Sequence, residues 1–270
     1  MLSDITLGQF FPGNSPLHKL DPRMKIFLII LFIVTIFCAS SLLSFCLVLG
    51  SAAFLTILSR IPLRQILKGL RPLFLIMLFT AILNIFWTSG ENLLWQWGFV
   101  KIYAEGLWYA LFMIVRVVTL IIGSSVLLTY TTSPIALTDG LERVLSPLRV
   151  LHLPVHEFSM MMTIALRFIP TLIQETDKII NAQKARGADF TSGSLFQRMH
   201  ALVPVMVPLF VSAFHRADEL AVAMECRCYH GGEGRTRMTQ LHLSGRDYLF
   251  LFFMLALFAL VLLCNSVSFW

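Results

Sequence analysis

Two arginines, Arg186 and Arg227, stand 41 residues apart in the short motifs Ala185-Arg186-Gly187 and Cys226-Arg227-Cys228. The chemistry open to a guanidinium is a bidentate pair with a carboxylate, carried by a charge that physiological pH does not remove. Leu172, Ile179 and Arg186 are spaced seven apart, and so are Ala213, Leu220 and Arg227. Seven residues close about two helical turns, so each arginine continues the apolar stripe of its helix. A cation ending such a stripe is better matched by a partner surface bearing a carboxylate than by water. The competing reading is that both arginines satisfy helix-end carbonyls or lipid headgroups.

Other reactive residue types lack the spacing that chemistry needs. Cys226, Cys228 and His230 offer three metal ligands on one helix end without a fourth, so no metal site is expected. His156-Glu157 has methionine at position 160 where a zinc protease needs its second histidine, and Gly231-Gly232-Glu233-Gly234 lacks the lysine of a phosphate loop. No catalytic residue and no cofactor are expected. Arg116, inside an apolar run, is a candidate intramembrane polar site; a buried structural pair explains it equally well.

The elements that must position these residues follow from composition. Hydrophobic residues make up 57% of the 270, charged residues 13%, and the mean hydropathy is +0.79, which excludes an ordinary soluble domain. The polar N-terminus has no short apolar core with a cleavage site, so no cleaved signal peptide is expected. The run from Lys25 to Leu58 is too long for one span of a ~30 Å hydrocarbon core. It reads as a hairpin of helices over 24–39 and 42–59, turning at Ser40-Ser41, with Asp21 as N-cap and Pro22 at the first helical position. Further spans are expected over 72–88, 106–130 and 247–265. This arrangement puts 19 of the 21 lysines and arginines on one side, which the positive-inside rule makes cytoplasmic. The net charge of +6 is then a topology signal, and no nucleic acid is implied.

Two segments, 158–173 and 201–214, are interrupted by prolines and charges and read as amphipathic helices that do not cross. The longer helix over 155–187 starts after Pro154 and ends at Gly187. In the other, Phe210, Ala213, Phe214, Ala217, Leu220, Ala221 and Met224 make one stripe. A shift of 41 aligns Asp177 with Asp218, Ala182 with Ala223 and Arg186 with Arg227. The fold class expected is an all-α integral membrane protein of about five spans, N-terminus cytoplasmic, with two long amphipathic helices in a cytoplasmic coupling domain. The expected division is 1–130 as a four-span membrane domain, 131–246 as the coupling domain and 247–270 as the last span.

At this point the residues resemble a known family. Ser15-Pro16-Leu17-His18-Lys19-Leu20-Asp21-Pro22-Arg23, Thr131-Thr132-Ser133-Pro134, Leu166-Arg167-Phe168-Ile169-Pro170, Ala182-Gln183-Lys184-Ala185-Arg186-Gly187 and Gly231-Gly232-Glu233-Gly234-Arg235-Thr236-Arg237 look like the transmembrane T component, EcfT, of energy-coupling factor transporters. The resemblance implies a non-catalytic scaffold in a prokaryotic cell membrane. It would join two cytosolic ABC ATPases to a small membrane S component that binds a vitamin or other micronutrient. In that family two Ala-Arg-Gly motifs end the coupling helices and dock the ATPases. Ala185, Arg186 and Gly187 match fully. At the second motif Cys226 and Cys228 replace alanine and glycine, so Gly231-Gly232 is expected to end that helix instead. The alternatives are a permease that binds its own substrate, or a membrane enzyme, which would need a nucleophile or paired acids that this sequence lacks.

Overall fold

The computed structural model describes residues 10–90, 92–97, 100–151, 154–188, 190, 194–231 and 240–267. The helices are α1 (Pro22–Cys38), α2 (Leu42–Ser59), α3 (Leu63–Leu70), α4 (Phe74–Trp87), α5 (Ala104–Ser124), α6 (Pro134–Leu145), α7 (Val155–Ala185), α8 (Leu195–Glu225) and α9 (Gly245–Val267). The chain forms two compact units: Gln9–Leu141 with Leu241–Trp270, and Glu142–Gln240.

The first unit starts where local chemistry says it should. Asp21 caps α1, its Oδ1 accepting the Arg23 N–H at 2.9 Å, and Pro22 fills a position whose missing N–H costs nothing. Cys38 ends α1, and Ser41 opens α2 with its amide on Ser44 Oγ at 3.0 Å. The expected hairpin at Ser40-Ser41 is therefore present. Leu28, Phe32 and Ile36 of α1 are buried with Val48 and Leu55 of α2, Val126 and Leu127 beyond α5, and Met254 and Val261 of α9. Gly123 allows one of these approaches: a Cβ there would overlap the ring of Phe32.

Two polar ties close the ends of this apolar core. At one end Lys25, 1% exposed, donates from Nζ to the Thr131 carbonyl at 2.8 Å and to the Thr132 hydroxyl at 3.0 Å. Beside it the Asp247 carboxylate accepts the Asp21 N–H at 2.9 Å and the Ser244 N–H at 2.6 Å. The Lys25 ammonium is thus sealed inside the helix junction. At the other end the Arg116 Nη2 donates to the Ala39 carbonyl at 2.9 Å, and Asn265 Oδ1 accepts both the Ser40 and Ser41 amides at 3.3 Å.

Two elements were not foreseen. Residues 63–70, ahead of the span expected over 72–88, form α3, which runs through one tight turn (Arg71–Leu73) into α4. Between α4 and α5 lies an antiparallel hairpin, β1 (Leu93–Trp97) and β2 (Val100–Tyr103), in which Gln96 pairs with Lys101 and Trp97 with Val100. Alternating apolar and polar residues in Leu-Trp-Gln-Trp and Val-Lys-Ile-Tyr favour this extended pairing. Apart from these two strands, the described residues are helical or in turns and connections.

The second unit holds α7 and α8, each 31 residues, or about 46 Å long. α7 matches the helix expected over 155–187, whereas α8 outruns the segment 201–214; Pro170, Pro204 and Pro208 all lie inside continuous helix. A proline removes one ladder bond but leaves the rest of a long, packed helix to hold its course. Among the described residues five helices are long and apolar enough to cross a membrane: Leu42–Ser59, Leu63–Trp87, Ala104–Thr129, Met199–Glu225 and Gly245–Ser266. The number matches expectation, but Met199–Glu225 stands in place of 24–39. At 17 residues, about 25 Å, α1 falls just short of that length, although it lies at the centre of the core. Met199–Glu225 is the least apolar of the five and carries Arg216, Asp218, Glu219 and Glu225.

Candidate docking tips of the two long helices

The stripe residues Leu172, Ile179, Ala213 and Leu220 are half-buried, Leu172, Ala213 and Leu220 where α7 and α8 face one another, while Ala185, Arg186, Gly187, Cys226, Arg227 and Cys228 are exposed. The stripe of α8 is narrower than expected. Ala213, Ala217, Leu220, Ala221 and Met224 line a groove with Ile164, Phe168 and Leu172 of α7, whereas Phe210 and Phe214 turn outward, 56% and 69% exposed.

The two helix ends are built alike. On α7 the Gly187 N–H reaches the Lys184 carbonyl at 3.0 Å and the Ala188 N–H reaches Gln183 at 3.0 Å. On α8 the Cys228 N–H reaches Glu225 at 2.8 Å and the Tyr229 N–H reaches Met224 at 3.1 Å. These paired bonds are the Schellman closure, in which the residue after the cap turns left-handed so that orphan carbonyls find donors. Gly187 does this at φ +88° and Cys228 at φ +55°. The expectation that Gly231-Gly232 would end α8 is thus corrected: α8 ends at Glu225 and Cys228 takes the left-handed position. Residues 232–237 of that motif lie outside the described residues. Each arginine occupies the cap position immediately before the reversal. The chain leaves the helix there, and both arginines are exposed.

Of the other candidates, Arg116 sits within α5 at the α1–α2 turn, with its guanidinium carbon 5.2 Å from the centre of the Phe45 ring. His156 Nδ1 lies 3.0 Å from Glu142 Oε1, so this histidine already has a partner within its own unit. Sequence reasoning missed Glu175, Ser212 and Arg216. The Arg216 Nη2 donates to Glu175 Oε2 at 2.8 Å, and the Ser212 hydroxyl donates to Glu175 Oε1. The only sequence signal for that pair is that Glu175 and Arg216 are themselves 41 residues apart.

Comparison with known proteins agrees with this architecture. The CbiQ family, described as a cobalt transport protein, matches residues 13–238. An energy-coupling factor transporter transmembrane protein EcfT of Clostridium kluyveri is 53% identical over 268 residues, covering 99% of this chain and 97% of the relative. The protein of that name from Acidaminococcus fermentans is 49% identical over 261 residues, covering 97% of each chain. That of Bacillus subtilis is 49% identical over 247 residues, covering 92% of this chain and 93% of the relative. The chain is a multi-pass membrane protein and belongs to the CbiQ family, among the energy-coupling factor transporter transmembrane proteins EcfT.

Proposed function

We propose that this chain is the non-catalytic scaffold of an energy-coupling factor importer in a prokaryotic cell membrane. Two cytosolic ABC ATPases dock on the tips of α7 and α8, and a separate membrane S component carries the vitamin or other micronutrient. Residues 131–246 form the coupling domain, with α1 a short span and α8 a coupling helix on the cytoplasmic side. The observation that carries this reading is the matched pair of tips: two exposed arginines, each held by the same backbone closure at the end of a helix of equal length. A guanidinium so presented fits a carboxylate in an ATPase groove, with Ala185, Gly187, Cys226 and Cys228 small enough to let the surface close around it. Arg116 is read as a structural pin for the α1–α2 turn.

Arg186→Glu and Arg227→Glu set like charges against the proposed carboxylates. Each alone weakens the complex, because the other tip keeps the paired ATPases at high local concentration. Truncating one partner of such a pair costs about 2–5 kcal/mol, so the double variant releases both ATPases while the folded membrane protein remains. A detergent pull-down with parallel transport assays checks this. Retention of both ATPases at wild-type stoichiometry by the double variant would make the arginines helix caps and nothing more.

A further inference from the structure

We infer that Glu175 and Arg216 form a positioning clasp at a pseudo-two-fold crossing of α7 and α8, which holds the two tips at a fixed separation; the inference rests on the docking reading above. The shift of 41 that superimposes Arg186 on Arg227 also superimposes Glu175 on Arg216. Glu175 lies 11 residues before Arg186, and Arg216 lies 11 before Arg227. The bond between them, 2.8 Å from Nη2 to Oε2, therefore marks a point on each helix equally far from its tip, about 16 Å along either arm.

Two-fold geometry explains the residue types. At such an axis each position meets its own equivalent, as in any isologous contact. Two glutamates or two arginines there would repel; one of each attracts. Leu172 and Ala213, another pair related by the same shift, line the groove that the Arg216 side chain also lines. The small apolar side chains of Ala213, Ala217 and Ala221 that line this groove leave one helix free to slide or roll on the other. A carboxylate gripped on both oxygens, by Arg216 and by Ser212, permits neither. Both residues are partly shielded, with side chains 33% and 23% exposed for Arg216 and Glu175, so water weakens the pair less than at an open surface. Two ATPases docked on the tips then start from one defined separation of their anchor points, set by the clasp.

The test uses the full complex with its ATPases and S component, reconstituted in vesicles. Glu175→Arg and Arg216→Glu each put like charges at the crossing and should lower transport about 10-fold while both ATPases stay bound. The double exchange, Glu175→Arg with Arg216→Glu, rebuilds the pair in reverse, where the Ser212 hydroxyl can accept instead of donate. It should return transport to within about 3-fold of wild type. Spin labels carried by non-natural residues at Asn181 and Val222, both exposed and again 41 apart, report the distance between the arms without touching the native cysteines. That distance should broaden in each single variant and narrow again in the exchange. Transport as low in the exchange as in the singles, or wild-type transport with a narrow distance in either single, overturns the clasp. Failure of the docking reading shows separately, as ATPase retention by the Arg186 and Arg227 double variant.

Discussion

Cys228 is held where an L-residue is least at ease. At φ +55° its Cβ crowds the neighbouring carbonyl, a cost of about 1–2 kcal/mol that glycine does not incur. The α7 tip meets the same demand with Gly187, and both tips have the same bonds, so the closure itself enforces the conformation. Cys228→Gly should therefore raise stability by about 0.5–1 kcal/mol, the glycine's extra freedom in the unfolded chain offsetting part of the relief. Cys228→Val, branched at Cβ, should lower it. Thermal unfolding in detergent, followed by a probe on α8, separates the two; equal midpoints for glycine and valine would show that the tip relaxes out of the left-handed form. Arg227 depends on this residue for its presentation, so the strain lies directly beside the proposed anchor.

At the scale of elements, α1 and α5 approach through one missing side chain. Phe32 is fully buried and its ring lies against Gly123, leaving no room for a methyl group. Gly123→Ala must push α5 off α1 or force Phe32 from its rotamer, an overpacking cost of about 1–3 kcal/mol. Phe32→Leu frees volume at that spot, so the Gly123→Ala, Phe32→Leu pair should lose less stability than the two single losses added. Strict additivity in detergent melts would mean the contact is looser than the packed core implies. The same helices are tied at both ends by Lys25 with Thr131 and Thr132, and by Arg116 and Asn265 around the α1–α2 turn. A short hairpin whose turn backbone is satisfied by side chains can stand in a bilayer without exposing orphan amides.

For the whole molecule the coupling reading turns on which long helices cross. The proposed coupling role requires α7 and α8 together on the cytoplasmic side, while Met199–Glu225 has the length and composition of a span. With a membrane-impermeant thiol reagent on intact cells, Cys226 and Cys228 should stay unlabelled, and should react in inverted vesicles. A cysteine introduced at Asn92, exposed ahead of the β1–β2 hairpin, should react from outside. One placed at Asn181 should behave as Cys226 does. Opposite accessibility of positions 181 and 226 would mean that α8 crosses the membrane and the coupling reading of that helix fails.

Sequence by itself determined whatever rests on neighbours within a few residues. The Asp21-Pro22 start, the Ser40-Ser41 turn and the end of α7 at Arg186-Gly187 are legible because caps and left-handed positions are satisfied locally. Tertiary structure decided the rest. Lys25 finds its acceptors 106 residues away, Ser41 finds Asn265 across 224, and Glu175 meets Arg216 across 41, separations over which no local signal operates. Cys228 bends left-handed against its own preference because the carbonyls of Met224 and Glu225 need donors. Burial and unsatisfied hydrogen bonds, which exist only once the chain has folded, outweigh the intrinsic preference of a residue by a few kcal/mol.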